Sequence, residues 1–96
     1  MLNSKQRAYL RSLGNELEPV FQIGKGGLSE EILDQLDLVL EARELIKVRV
    51  LKNCLEDEDD LADEISEALD CDVVQRIGRV FLLYRPSLEN PQIVLP

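Results

Sequence analysis

The residues best suited to chemistry stand in one stretch, Ile23-Gly24-Lys25-Gly26-Gly27-Leu28-Ser29. Glycine lets a backbone approach a ligand closely and adopt a positive φ. Ser29, followed by Glu30 and Glu31, reads as the N-cap of a helix. A helix start offers unpaired N–H groups and a partial positive charge, which suit an anion. Lys25 adds a full positive charge. The natural guest of such a loop is a phosphate.

Three kinds of phosphate compete. A mononucleotide loop needs Gly-x-x-x-x-Gly-Lys-Ser/Thr, and this loop is too short. A dinucleotide loop needs Gly-x-Gly-x-x-Gly; Gly24 and Gly26 fit, but Ser29 takes the third place. Glu44 follows Gly24 by twenty residues, where an acid would bind ribose, yet it precedes the next strand instead of ending it. The third guest is a nucleic-acid backbone clamped by Gly-x-x-Gly, as in KH-type domains. Gly24-Lys25-Gly26-Gly27 satisfies that pattern. A glycine-rich turn alone does not decide among them.

Other chemistry is scarce. There is no His, so the usual neutral-pH proton carrier and the commonest metal ligand are missing. Cys54 and Cys71 form no Cys-x-x-Cys pair and read as two reduced, partly buried thiols. The acidic run Glu56-Asp57-Glu58-Asp59-Asp60 lacks the spacing of a calcium loop. No catalytic residue, metal or cofactor is expected. Tyr9, Phe21, Phe81 and Tyr84 are the aromatic residues, and Tyr84 is the best candidate among them for stacking on a base.

The elements around the loop follow from periodicity. Asn3 or Ser4 can cap a helix over residues 5–13, with Leu2, Tyr9, Leu10 and Leu13 near one stripe and Arg7 and Arg11 on another. Gly14 suggests a left-handed helix end. Residues 19–23 read as a strand. Ile32, Leu36, Val39 and Leu40 line a second helix. Residues 45–51 alternate as a strand, with Ile46, Val48 and Val50 on one face and Lys47 and Arg49 on the other. Leu61, Ile65, Ala68 and Leu69 stripe a third helix over residues 57–69, whose remaining face is acidic. Residues 73–77 and 80–84 are strands joined at Gly78-Arg79, a link so short that they must form an antiparallel hairpin. Ile93-Val94-Leu95 in the last segment can still pair at an edge. The expected fold is a single α/β domain, α-β-α-β-α-β-β, with helices packed on a mixed four-stranded sheet.

Four segments, in order, resemble the YhbY-like or CRM-domain RNA-binding family. They are Lys5-Gln6-Arg7-Ala8-Tyr9-Leu10-Arg11, the loop region from Glu18 to Glu30, Glu44-Leu45-Ile46-Lys47-Val48-Arg49-Val50, and the hairpin from Val74 through Tyr84-Arg85-Pro86. The resemblance implies a small, non-enzymatic bacterial protein that binds ribosomal RNA and associates with precursors of the large ribosomal subunit. It places the family's glycine loop on Gly24, Lys25, Gly26 and Gly27, its basic first-helix positions on Lys5, Arg7 and Arg11, and its terminal Tyr-Arg on Tyr84 and Arg85. A CRM-type domain is then expected over residues 1–88, with residues 89–96 as a tail. Lys47 and Arg49 join the expected RNA-binding set as solvent-facing bases on a strand. The start of the chain has no apolar run behind its charges and no stretch is long enough to span a bilayer, so a cytoplasmic monomer without membrane contact is expected.

Charge is the departure. The chain has 96 residues with 11 Lys+Arg against 19 Asp+Glu, a net of −8, and phosphates repel an acidic protein. Residues 55–72 hold ten of those acids and no base, which leaves nine acids against eleven bases elsewhere, a net of +2. The acidity belongs to the third helix and its flanks. Its reach is limited by screening to roughly 8 Å at ~0.15 M salt. If that helix lies away from the glycine loop, contacts to phosphate survive. Two other functions stay open: an adaptor that docks basic ribosomal proteins on the acidic helix, and a small nucleotide-binding enzyme.

Overall fold

In the computed structural model, which describes residues 2–96, the chain opens on a capping box. The Asn3 side chain accepts from the Gln6 N–H at 2.8 Å, and the Asn3 N–H donates to Gln6 Oε1 at 3.1 Å. Helix α1 (Ser4–Gly14) follows. Then come β1 (Pro19–Ile23), α2 (Glu30–Arg43), β2 (Leu45–Val50), α3 (Glu58–Leu69), β3 (Asp72–Ile77) and β4 (Val80–Tyr84), in the expected order. Ser29 caps α2 and Asp57 caps α3, each side chain accepting from first-turn N–H groups.

The sheet runs β1-β2-β4-β3. β1 and β2 are parallel through α2, whereas β4 pairs antiparallel with both β2 and β3. Gly78 takes a φ of 57° at the first of the two hairpin-turn positions, where glycine is favoured. The two sheet faces carry two cores. Ile46, Val48, Val50, Phe81 and Leu83 pack under α2 and α3, against Leu36, Leu40, Leu61 and Ile65. Leu45, Val74, Leu82 and Tyr84 pack with Leu10 of α1 on the other face.

Some expectations need correction. Ala62, not Ala68, completes the buried stripe of α3, and Tyr9 is exposed. Gly14 does not end α1 in a left-handed turn; it is helical, and Asn15 is the C-cap at φ −58°. Glycine is needed there for closeness, since an added Cβ would lie 2.7 Å from Leu82 Cδ2. The consequence is that α1 rests directly on β4.

Residues 93–95 add no strand to the sheet. The last segment instead folds back over the α1 face, where Ile93 and Leu95 pack on Tyr84 and its neighbours. Glu44 holds it. This residue, only 2% exposed and at φ 67°, accepts from the backbone N–H groups of Ser87, Gln92 and Ile93 at 2.9, 2.8 and 2.9 Å. Burial alone would raise its carboxyl, but the three hydrogen bonds outweigh burial and the net shift is downward. Glu41 likewise accepts from Ser87 Oγ and the Leu88 and Glu89 N–H groups, which lower its pKa. Glu44 is thus a structural anchor and not a ribose-binding acid.

Candidate nucleic-acid interface

The glycine loop is a tight turn beyond β1. The Gly27 N–H donates to the Gly24 carbonyl at 3.0 Å, and Gly27 takes a φ of 63°. Lys25 and Gly26 are exposed, and a Cβ on Gly26 would meet nothing within 4 Å. The loop therefore has open space where a backbone can approach. Burial pushes the Cys71 thiol up to about 11, which keeps it protonated at neutral pH, and Cys54 is also buried.

Parallel pairing brings other bases to the same end of the sheet. The ends of β1 and β2 point the same way, and the Leu51 N–H donates to the Ile23 carbonyl at 2.8 Å. The Val50 N–H donates to the Arg79 carbonyl at 2.7 Å, which joins the hairpin turn to the group. Lys52 follows Leu51 and is exposed. Lys47 and Arg49 point to the α1 face, as the register with Leu82 and Val80 requires. Because α1 stops at Gly14, that end of the face is uncovered, and Arg49 is exposed. Among the described residues the ion pairs are Arg85–Asp37, Arg76–Asp59 and Arg79–Glu58; Lys25, Lys47, Arg49 and Lys52 enter none of them.

The other residues of the expected set lie elsewhere. Lys5 is exposed at the end of α1 beside the C-terminal segment, where Gln6 bonds Pro96. Arg7 donates to the carbonyls of Val73 and Val74 at 3.0 and 3.3 Å, so it ties α1 to the outer strand. Arg11 is half-buried on the same side of α1. Tyr84 is 4% exposed, inside the second core, and has no face free for a base. Arg85 bonds Asp37 Oδ1 at 2.6 Å and the carbonyls of Leu69 and Asp37, clamping α2, α3 and β4 together. Tyr84 is therefore corrected from a stacking candidate to a core residue, and Arg85 serves the fold as a clamp.

The body of α3 packs on the sheet face opposite Lys47 and Arg49. Its lead-in, however, reaches the loop. A Cβ on Gly27 would lie 3.2 Å from the Glu56 carboxyl carbon, and Glu58 and Asp59 pair with Arg79 and Arg76. The condition that the acidic segment stay clear of the loop holds for most of the helix and fails at Glu56. At the opposite end of the sheet, a groove of about 700 Å³ is rimmed by Asp37, Glu41, Asp70 and Glu89, a surface of the wrong sign for phosphate.

A small α/β domain with an open glycine turn and unpaired bases at the same end of its sheet has features common among nucleic-acid-binding domains. Residues 2–85 match the CRS1 / YhbY (CRM) domain, and the chain belongs to that family. It is 48% identical over 96 residues to the probable RNA-binding protein YqeI of Bacillus subtilis, covering 100% of both chains. It is 37% identical over 95 residues to a protein of Haemophilus influenzae named RNA-binding protein, covering 99% of this chain and 95% of that one. The solution structure of the hypothetical protein SAV1595 from Staphylococcus aureus superposes with a TM-score of 0.81 at 51% identity, over 100% of both chains. These relatives' names describe binders and not enzymes.

Proposed function

We propose that this chain is a non-enzymatic cytoplasmic protein that binds structured ribosomal RNA and assists assembly of the large ribosomal subunit. The observation that carries the RNA part is the set of unpaired bases, Lys25, Arg49 and Lys52 at the loop end of the sheet with Lys47 further back along β2, beside an open glycine turn. Gly26 admits the backbone, and Lys25 pairs with phosphate. Ribosomal RNA and subunit precursors rest on the family resemblance. Cross-linking in cells followed by RNA sequencing is expected to enrich large-subunit RNA from incomplete particles. Recovery spread evenly over cellular RNA would remove the assembly role.

Glu56 opposes the guest of the loop. Glu56→Gln is expected to tighten RNA binding about two- to fivefold in low salt, the range of one exposed charge interaction, and to lose that gain in high salt. Anisotropy titrations at two salt concentrations check both parts.

A second reading, an adaptor for basic ribosomal proteins, is favoured by the outer face of α3. Asp60, Asp63, Glu64 and Glu67 are all exposed there and enter none of the ion pairs among the described residues. Neutralising these four charges should weaken association with ribosome precursors if that face docks a protein. Unchanged association leaves plain RNA binding.

A further inference from the structure

Beyond the end of α1, the sheet face holds a shallow pocket of about 240 Å³. Its apolar side is Ile77, Val80 and Leu82; its polar side is Asn15, Lys47 and Gln75. Each wall has a local cause. Gly14 lets α1 end directly over Leu82, so Asn15 becomes the rim. A register shift between Val73 and Gln75 in β3 turns both Val74 and Gln75 to this face. Ile77 is left 66% exposed, a large apolar side chain with nothing covering it.

We propose that this pocket receives one unpaired base of the RNA whose backbone the glycine loop holds. The inference rests on the RNA-binding reading of that loop and adds a second contact to it. Size fits: about 240 Å³ has room for roughly eight waters at ~30 Å³ each, enough for one base and too little for a base pair. Chemistry fits as well. An apolar floor accepts a base face, while the carboxamides of Asn15 and Gln75 each offer a donor and an acceptor to a base edge. Charge selects the occupant, because Lys47 lines the pocket and Arg49, one strand pleat further on, leads toward the loop. β4 lies two strands from β1, and Lys47 pairs with Pro19, several residues back along β1 from the loop, so pocket and loop are on the order of 15 Å apart. Two or three nucleotides of one strand can span that gap.

The test is a titration of the isotopically labelled chain, followed by NMR, with a short single-stranded RNA of mixed sequence and with an abasic sugar–phosphate strand of equal length. Both strands are expected to move the backbone amides of Lys25, Gly26 and Gly27. The intact strand alone is expected to move the side-chain NH₂ signals of Asn15 and Gln75. Gln75→Ala should weaken the intact strand about fivefold, the loss of one hydrogen bond, and leave the abasic strand unaffected. If the loop amides respond but Asn15 and Gln75 do not, or respond equally to both strands, the base pocket is wrong and the loop stands. If neither strand moves the loop, the RNA reading itself fails and the pocket with it. Concentration-dependent shifts at Ile77 and Val80 without RNA would assign the patch to a second copy of the chain and overturn the proposal.

Discussion

The double variant Lys25→Asp/Gly26→Asp is expected to lose about 100-fold in affinity for large-subunit ribosomal RNA while keeping its fold. Position 25 goes from +1 to −1 and position 26 from neutral to −1, so three units of negative charge enter the turn. A charge-assisted contact is worth about 1.5–3 kcal/mol, so loss of the Lys25 contact together with repulsion from two new carboxylates comes to about 3 kcal/mol, or roughly 100-fold. The fold is spared for a reason visible in the loop. Gly26 has no positive φ and no atom within 4 Å of an added Cβ, and Lys25 is exposed. Circular dichroism and the thermal midpoint should match the parent chain. Gly27 would be a poor choice for the same experiment, since its φ of 63° and the Glu56 carboxyl would confound stability with binding.

Glu44→Ala is expected to cost about 3 kcal/mol of stability, because the last segment loses the acceptor of three backbone N–H groups. For a domain of this size that lowers the thermal midpoint by roughly 12–24 °C. The sign of the pH dependence follows from the lowered carboxyl. A folded pKa below the ordinary 4.5 contributes stability above pH 4.5 and loses it as pH falls through the folded value. The parent chain should therefore weaken in acid, and the variant should show less of that loss. Denaturant melts at neutral pH and near pH 3–4 measure both. Equal stability of the two chains at neutral pH would remove Glu44 as the anchor.

The order of elements was legible because it depends on local signals. Alternation in β2, helical stripes in α2 and α3, and the two-residue link at Gly78-Arg79 all lie within a few residues of one another. The glycine loop was legible for the same reason. The fate of individual charges was not. Whether an arginine meets solvent or a backbone carbonyl depends on partners far away: Arg7 bonds residues 66 and 67 positions later, and Arg85 reaches Asp37 across 48. Glu44 is the same case, with acceptor bonds to residues 43 to 49 positions on. Lys52 and Arg79 sit in turns, where side-chain periodicity carries no signal. A topological signal existed, since a parallel β1–β2 pair puts the segments after both strands side by side. The charge objection also needed the structure: α3 sits behind the sheet, yet Glu56, two residues before it, lies against the loop.

The claim that RNA sits on the loop and the four unpaired bases of the adjoining sheet is tested most directly by the salt dependence of binding to a fragment of large-subunit RNA, from roughly 50 to 200 mM. Four phosphate contacts give a slope of about −3 in log K against log salt, and the Lys25→Asp/Gly26→Asp chain should show a slope shallower by about 1 along with its lost affinity. Binding by the parent chain that is insensitive to salt, or unchanged in both affinity and slope by the double substitution, would contradict it.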